Sequence, residues 1–148
     1  MRIRQGPLPG SPADDITRGV IRLMGDLGYA PLTEFKLTGR RRVDVAALDR
    51  DGRFVVVEVK SSLADFRADN KWSEYLDFCD FFYFAVASDF PNDILPNDHG
   101  LICANTYEAT IVRPAAESPM NGNRRRTQTL RFARTGANRL AGRRDPAV

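Results

Sequence analysis

Histidine, cysteine and lysine are scarce in this chain, and acid is nearly missing from residues 118–148. His99 is the only histidine, and the two cysteines, Cys79 and Cys103, sit in apolar surroundings without metal-type spacing. That excludes a zinc cluster and leaves buried free thiols in a cytoplasmic protein as the expectation. No stretch approaches the roughly 18 uninterrupted apolar residues that a membrane span needs. The start, Met-Arg-Ile-Arg-Gln-Gly-Pro, has no apolar stretch behind its charges, so no signal peptide is expected.

What is present suits a single domain: 148 residues, 43% of them hydrophobic. The charge is unevenly placed. Residues 118–148 carry eight arginines against one acid, Asp145, about +7, while the rest holds 14 basic and 18 acidic residues, about −4. A cationic arm on a mildly acidic body usually meets a polyanion. Arginine makes up 19 of the 22 basic residues, and its planar fork suits bidentate contact with phosphate.

Residues 1–10, rich in proline and glycine, read as a flexible tail. Ser11-Pro12 opens a helix with a capping hydroxyl and a proline in the first turn. Asp14 and Asp15 complement its positive end. Ile16, Val20, Met24 and Leu27 keep helical spacing, and Gly28 stops it. Strands are predicted at 31–37, 42–48 and 54–60, turning at Thr38-Gly39-Arg40 and Asp49-Arg50-Asp51-Gly52. Ser61-Ser62 caps a helix running to about Cys79. The almost wholly apolar stretch 81–87 suits a strand covered on both faces. An irregular stretch with Pro91 and Pro96 precedes a hairpin of 100–104 and 108–112. Residues 123–140 are helical again, with Leu130, Ala133, Ala137 and Leu140 on one side. This order predicts an α/β fold, a mixed sheet with helices on both faces. The core domain is expected at 11–117, with 118–148 an arginine-rich helix and tail packed on it or extending from it.

The turns fix an expected register. A hairpin centred near Gly39 opposes residues whose numbers sum to about 78, pairing Glu34 with Asp44. Centring the next near Asp51 makes the sum about 102 and pairs Asp44 with Glu58. Three carboxylates would then line up across three strands, with Lys60 sharing the face of Glu58. Val55, Val57 and Val59 fill one face of that strand while Phe54 and Val56 begin the other. It is therefore a central strand in which unpaired charge is costly. A hard divalent cation would neutralise the acids, and Mg²⁺ favours one or two carboxylates with waters and phosphates. Such an ion polarises a phosphoryl oxygen and acidifies water, leaving Lys60 to hold the attacking water or offset developing charge. The same parity places Lys36 and Arg42 near the strand ends, with Arg40 in the turn, for gripping a nucleic-acid backbone. Lys71 is a candidate substrate contact, Trp72 a base-stacking or packing residue, and His99 a structural one. Arg124, Arg125 and Arg126 head the basic arm.

Asp44, then Glu58-Val59-Lys60, between a preceding and a following helix, resembles the PD-(D/E)XK nuclease core. More closely, Gly39-Arg-Arg-Arg-Val-Asp-Val-Ala-Ala-Leu-Asp49 and Glu58-Val-Lys-Ser-Ser-Leu-Ala-Asp-Phe-Arg-Ala-Asp-Asn-Lys-Trp72 resemble the MmcB-like family of DNA repair endonucleases. Phe90-Pro-Asn-Asp-Ile-Leu-Pro96, Gly100-Leu-Ile102 and the helix 124–140 fit as well, so the likeness covers about 14–142. It implies a nuclease fold, a cytoplasmic place and work on DNA. It also implies metal at Asp44 and Glu58, with Lys60 assisting water. Val43 stands where the class motif has proline. A further acid in such cores often comes from the first helix, and Asp14, Asp15 and Glu34 are the candidates.

The expected function is a Mg²⁺- or Mn²⁺-dependent DNA endonuclease. The alternatives are a non-catalytic nucleic-acid-binding module on a nuclease scaffold, and an interaction partner recruited to a repair assembly. A homodimer is left open.

Overall fold

The computed structural model describes residues 6–69 and 71–147. Residues 1–5 of the expected tail, Asn70 of the expected second helix and Val148 lie outside the described residues.

Helix α1 (Pro12–Asp26) begins as its sequence requires: the Ser11 hydroxyl accepts the Asp14 N–H at 3.2 Å, and Asp14 in turn accepts the Gly10 N–H at 3.0 Å. Ile16, Val20 and Met24 are buried. Leu27, expected on that side, is instead 50% exposed, because the helix has already ended and the chain reverses through Gly28 at φ 88°.

Strands β1 (Ala30–Lys36), β2 (Arg42–Leu48), β3 (Phe54–Lys60), β4 (Phe81–Val86), β5 (Gly100–Ala104) and β6 (Ala109–Arg113) form one sheet in sequence order. The first three pair antiparallel, β3, β4 and β5 pair parallel, and β5–β6 closes as an antiparallel hairpin. Both expected registers hold: Thr33 opposes Val45 and Phe35 opposes Val43, while Val45 opposes Val57 and Leu48 opposes Phe54. All seven residues of β3 are buried, as a central strand demands.

One core lies under α1 and is built from Val20, Val45, Val55, Val57 and Ile102. The other gathers Phe35, Phe54, Val56, Phe84 and Phe132. The helix expected from Ser62 to Cys79 is broken. It forms α2 (Leu63–Ala68), leaves helical geometry at Asp69, and resumes as a 3-10 segment at Trp72–Phe78. The Asp69 carboxylate turns back to the Lys71 N–H and the Lys60 ammonium, and such side-chain bonds compete with a continuing helix.

Helix α3 (Gly122–Arg144) is longer than its sequence pattern suggested, capped by Asn121 over the N–H groups of Asn123 and Arg124. Leu130, Ala133, Ala137 and Leu140 do share a side, but it faces water, with Leu130 64% and Leu140 68% exposed. The side turned to the sheet carries Gln128 and Phe132, with Phe132 meeting Phe35 and Phe54 edge-on at 5.4 and 5.6 Å. Arg125 completes the anchor by forking onto Asp80. Among the described residues, no helix is long and apolar enough to cross a membrane.

Candidate active site

The β2–β3 ladder runs in register as far as Val45–Val57, and the next opposed residues would be Asp44 and Glu58. There the side chains supply the cross-strand bonds. Glu58 Oε1 accepts the Asp44 N–H at 3.0 Å, and Asp44 Oδ2 accepts the Val59 N–H at 2.8 Å. Each acid is thus aimed by the backbone of the other strand. They open into a pocket of about 420 Å³, walled also by Glu34, Lys60, Asp69 and Lys71 and by Ala13 and Thr17 of α1.

Two strongly polar groups are buried here. Glu58 is 5% exposed and Lys60 3%. Burial, and then the neighbouring Asp44 charge, push the Glu58 carboxyl up to about 9, against the opposing pull of the Asp44 N–H and Lys60. The Lys60 ammonium is held by Asp69 Oδ2. Burial alone would raise the Asp69 carboxyl. The Lys60 hydrogen bond and the Lys71 N–H outweigh it, and the pKa lies below the ordinary aspartate value.

Asp69 is the residue that the sequence reading did not single out. Its only local signal is that Asp-Asn ends helices readily, nine residues past Lys60. Nothing in periodicity links it to the lysine.

The structure brings Glu34, Asp44, Glu58, Lys60 and Lys71 to one pocket. It does not assemble the expected row of three acids: among the described residues, no group of three His, Cys, Asp or Glu side chains is placed to hold a metal. At Glu34 φ is 46° and the strand alternation breaks. Leu32 and Phe35 pack on the same core, as do Ala46 and Val43, so both strands change parity across Glu34 and Asp44. Lys36 and Arg42 therefore do not share the Glu58 face as expected. Lys36 is exposed, Arg42 lies 3.8 Å from Glu34, and neither lines the pocket, nor does Arg40 in the turn. Asp14 and Asp15 also lie outside its lining.

Trp72 packs in an aromatic group, stacked on Phe82 at 5.8 Å and edge-on to Phe84 and His99. This is the packing role for Trp72 and the structural role for His99. The three head arginines of α3 diverge. Arg124 lies over the Phe78 ring at 4.9 Å, Arg125 is committed to Asp80 and the Gly52 carbonyl, and Arg126 is exposed. Cys79 is buried and Cys103 partly exposed, both free thiols. Burial raises the Cys79 thiol to about 12, which leaves it unreactive.

Asp44 and Glu58 remain the pair whose chemistry fits a hard cation. Two carboxylates with room for water match the habit of Mg²⁺, and a cation would draw the proton that burial holds on Glu58.

One solved structure shares the architecture. A solved protein of unknown function from Silicibacter pomeroyi is 41% identical, superposes with a TM-score of 0.90, and is covered over 95% of this chain and 96% of its own. A repair endonuclease from Pyrococcus abyssi aligns over 57% of this chain and 41% of its own, at 19% identity and a TM-score of 0.34, a likeness too slight to carry argument. No curated protein matches. The family model described as DNA repair protein MmcB-like matches residues 10–147, and the chain belongs to that family.

Proposed function

We propose that this protein is a metal-dependent nuclease that hydrolyses phosphodiester bonds of DNA in repair. The observation that carries the reading is Glu58. A carboxyl group 5% exposed in a central strand, beside a second acid and two residues from a buried lysine, is an arrangement that costs stability unless a cation uses it. Membership of a DNA repair family supports DNA as the substrate.

Asp44 and Glu58 would hold Mg²⁺ or Mn²⁺, whose chemistry when bound is to polarise a phosphoryl oxygen and to acidify a water. Lys60 directs its ammonium at the same pocket, where it orients the attacking water and offsets the charge that builds on the phosphoryl oxygens. Asp69 fixes the Lys60 rotamer. Lys71, at the pocket wall, binds a substrate phosphate.

A second reading, a nucleic-acid-binding module without cleavage, is favoured by the exposed Arg126 and Arg134 on a helix with no acid of its own. Incubating labelled single-stranded, duplex and branched DNA with the purified protein and Mg²⁺ or Mn²⁺ separates the two. Cutting that Glu58→Ala and Lys60→Ala both abolish supports the nuclease. Salt-sensitive binding without cutting, unchanged in both variants, supports the binding module.

A further inference from the structure

Helix α3 reaches the backbone of Glu34, whose side chain lines the pocket. Its Arg139 Nη1 donates to the Thr33 carbonyl at 2.5 Å and its Nη2 to the Glu34 carbonyl at 2.8 Å. Consecutive carbonyls of a regular strand point to opposite edges, so one guanidinium can take both only where the strand is turned. The turn is at Glu34, the one non-glycine residue at positive φ among the described residues. That conformation is strained for a residue with a Cβ, and it persists only where the surroundings hold it. β1 is an edge strand, so its outer side has no neighbouring strand to do this.

The helix is well placed to act as the brace. Arg125 on buried Asp80, Gln128 on the Phe78 carbonyl, and Phe132 between Phe35 and Phe54 anchor it across the sheet before it reaches β1. The alternation of β1 reverses here, and Glu34 lines the pocket of Asp44 and Glu58, with Arg42 Nε 3.8 Å from its carboxylate.

We propose that Arg139 is a positioning residue: it holds the left-handed Glu34 backbone so that the Glu34 carboxylate adds to the cation-binding field of the pocket. One part of the arginine-rich segment thereby belongs to the site itself and is not a contact for DNA. The inference rests on the metal-dependent reading above, but it concerns binding and can be tested without turnover.

The test is Mn²⁺ titration by calorimetry on the full-length protein, with thermal unfolding alongside, for wild type, Arg139→Ala, Arg139→Lys, Glu34→Gln and the double variant Glu34→Gln/Arg139→Ala. Arg139→Ala is expected to weaken Mn²⁺ about tenfold, the scale of a lost outer-shell support, with partial recovery in Arg139→Lys. In the Glu34→Gln background the same change is expected to add nothing. A lower melting temperature with unchanged Mn²⁺ affinity would reduce Arg139 to an edge cap and overturn the proposal. So would an equal loss of affinity with and without the Glu34 carboxylate. Wild type that binds no Mn²⁺ removes the metal reading itself, a failure seen before any variant is compared.

Discussion

Asp80, just before β4, and Glu58, within β3, are both shielded from water, yet their surroundings drive them to opposite charge states. Asp80 has its acceptors filled: Phe54 N–H at 2.7 Å, Met120 N–H at 3.0 Å, and both arms of Arg125. Burial would raise its carboxyl, but those partners outweigh it and hold the pKa below the ordinary aspartate value. Glu58 has one backbone donor and a second carboxylate beside it, so burial prevails and its carboxyl rises. A fully matched acid is part of the scaffold. An acid left short of positive charge in a pocket marks a candidate site of chemistry.

The comparison breaks most sharply at Asp80. Asp80→Ala strands the Arg125 guanidinium and frees the start of α3, and is expected to cost about 3–5 kcal/mol in denaturant unfolding. Glu58→Gln should cost far less, and loss of comparable size at both positions would erase the distinction. Next in size is the effect of metal: Mn²⁺ at about 100 times its Kd should stabilise wild type by about 2.7 kcal/mol, and Glu58→Gln by much less.

The pH dependence sharpens the same contrast. Glu58 has a folded pKa raised from 4.5 to about 9. Its contribution is therefore full below pH 4.5 and is lost as pH rises through about 9, with a slope of at most about 1.4 kcal/mol per pH unit. Asp80 is depressed, so its contribution is full above the ordinary aspartate pKa and is lost as pH falls toward the folded value. Metal-free wild type should weaken from about pH 4.5 to about 9 and level off above it, Glu58→Gln should flatten that decline, and the acid limb should stay. The smallest effect on stability, about 1 kcal/mol for one part-buried charged hydrogen bond, is expected for Asp69→Asn. That change would loosen Lys60, and it should alter the pH profile of DNA cleavage more than the melting temperature.

Much of this was legible in the chain. Turns at Gly39 and Asp51 set registers that hold on both hairpins, because a short loop leaves the strands little freedom to slip. The bounds 42–48 and 54–60 are those of β2 and β3, and the Ser11-Pro12 start of α1 follows from local capping alone. Asp44, Glu58, Lys60 and Lys71 do meet in one pocket. Local pattern fails where a distant partner overrides it. Strict alternation through Glu34 is what the sequence predicts, and the left-handed backbone there reverses it. The helix predicted from Ser62 ends before Asp69, whose carboxylate bonds Lys60. The leucine side of α3 was the visible stripe, while Phe132, Gln128 and Arg125 do the anchoring.

The sequence by itself determined the order of elements, the hairpin registers and the acids and lysine of the pocket, because caps, turns and side-chain alternation act over a few residues. Only the tertiary structure decided which charges are matched within the scaffold and which are left short of a partner in the pocket. Arg125 finds Asp80 across 45 positions, and Arg139 reaches Thr33 across 106. No local pattern records such pairings, since they exist only once α3 lies across the sheet and burial makes every unmatched charge costly.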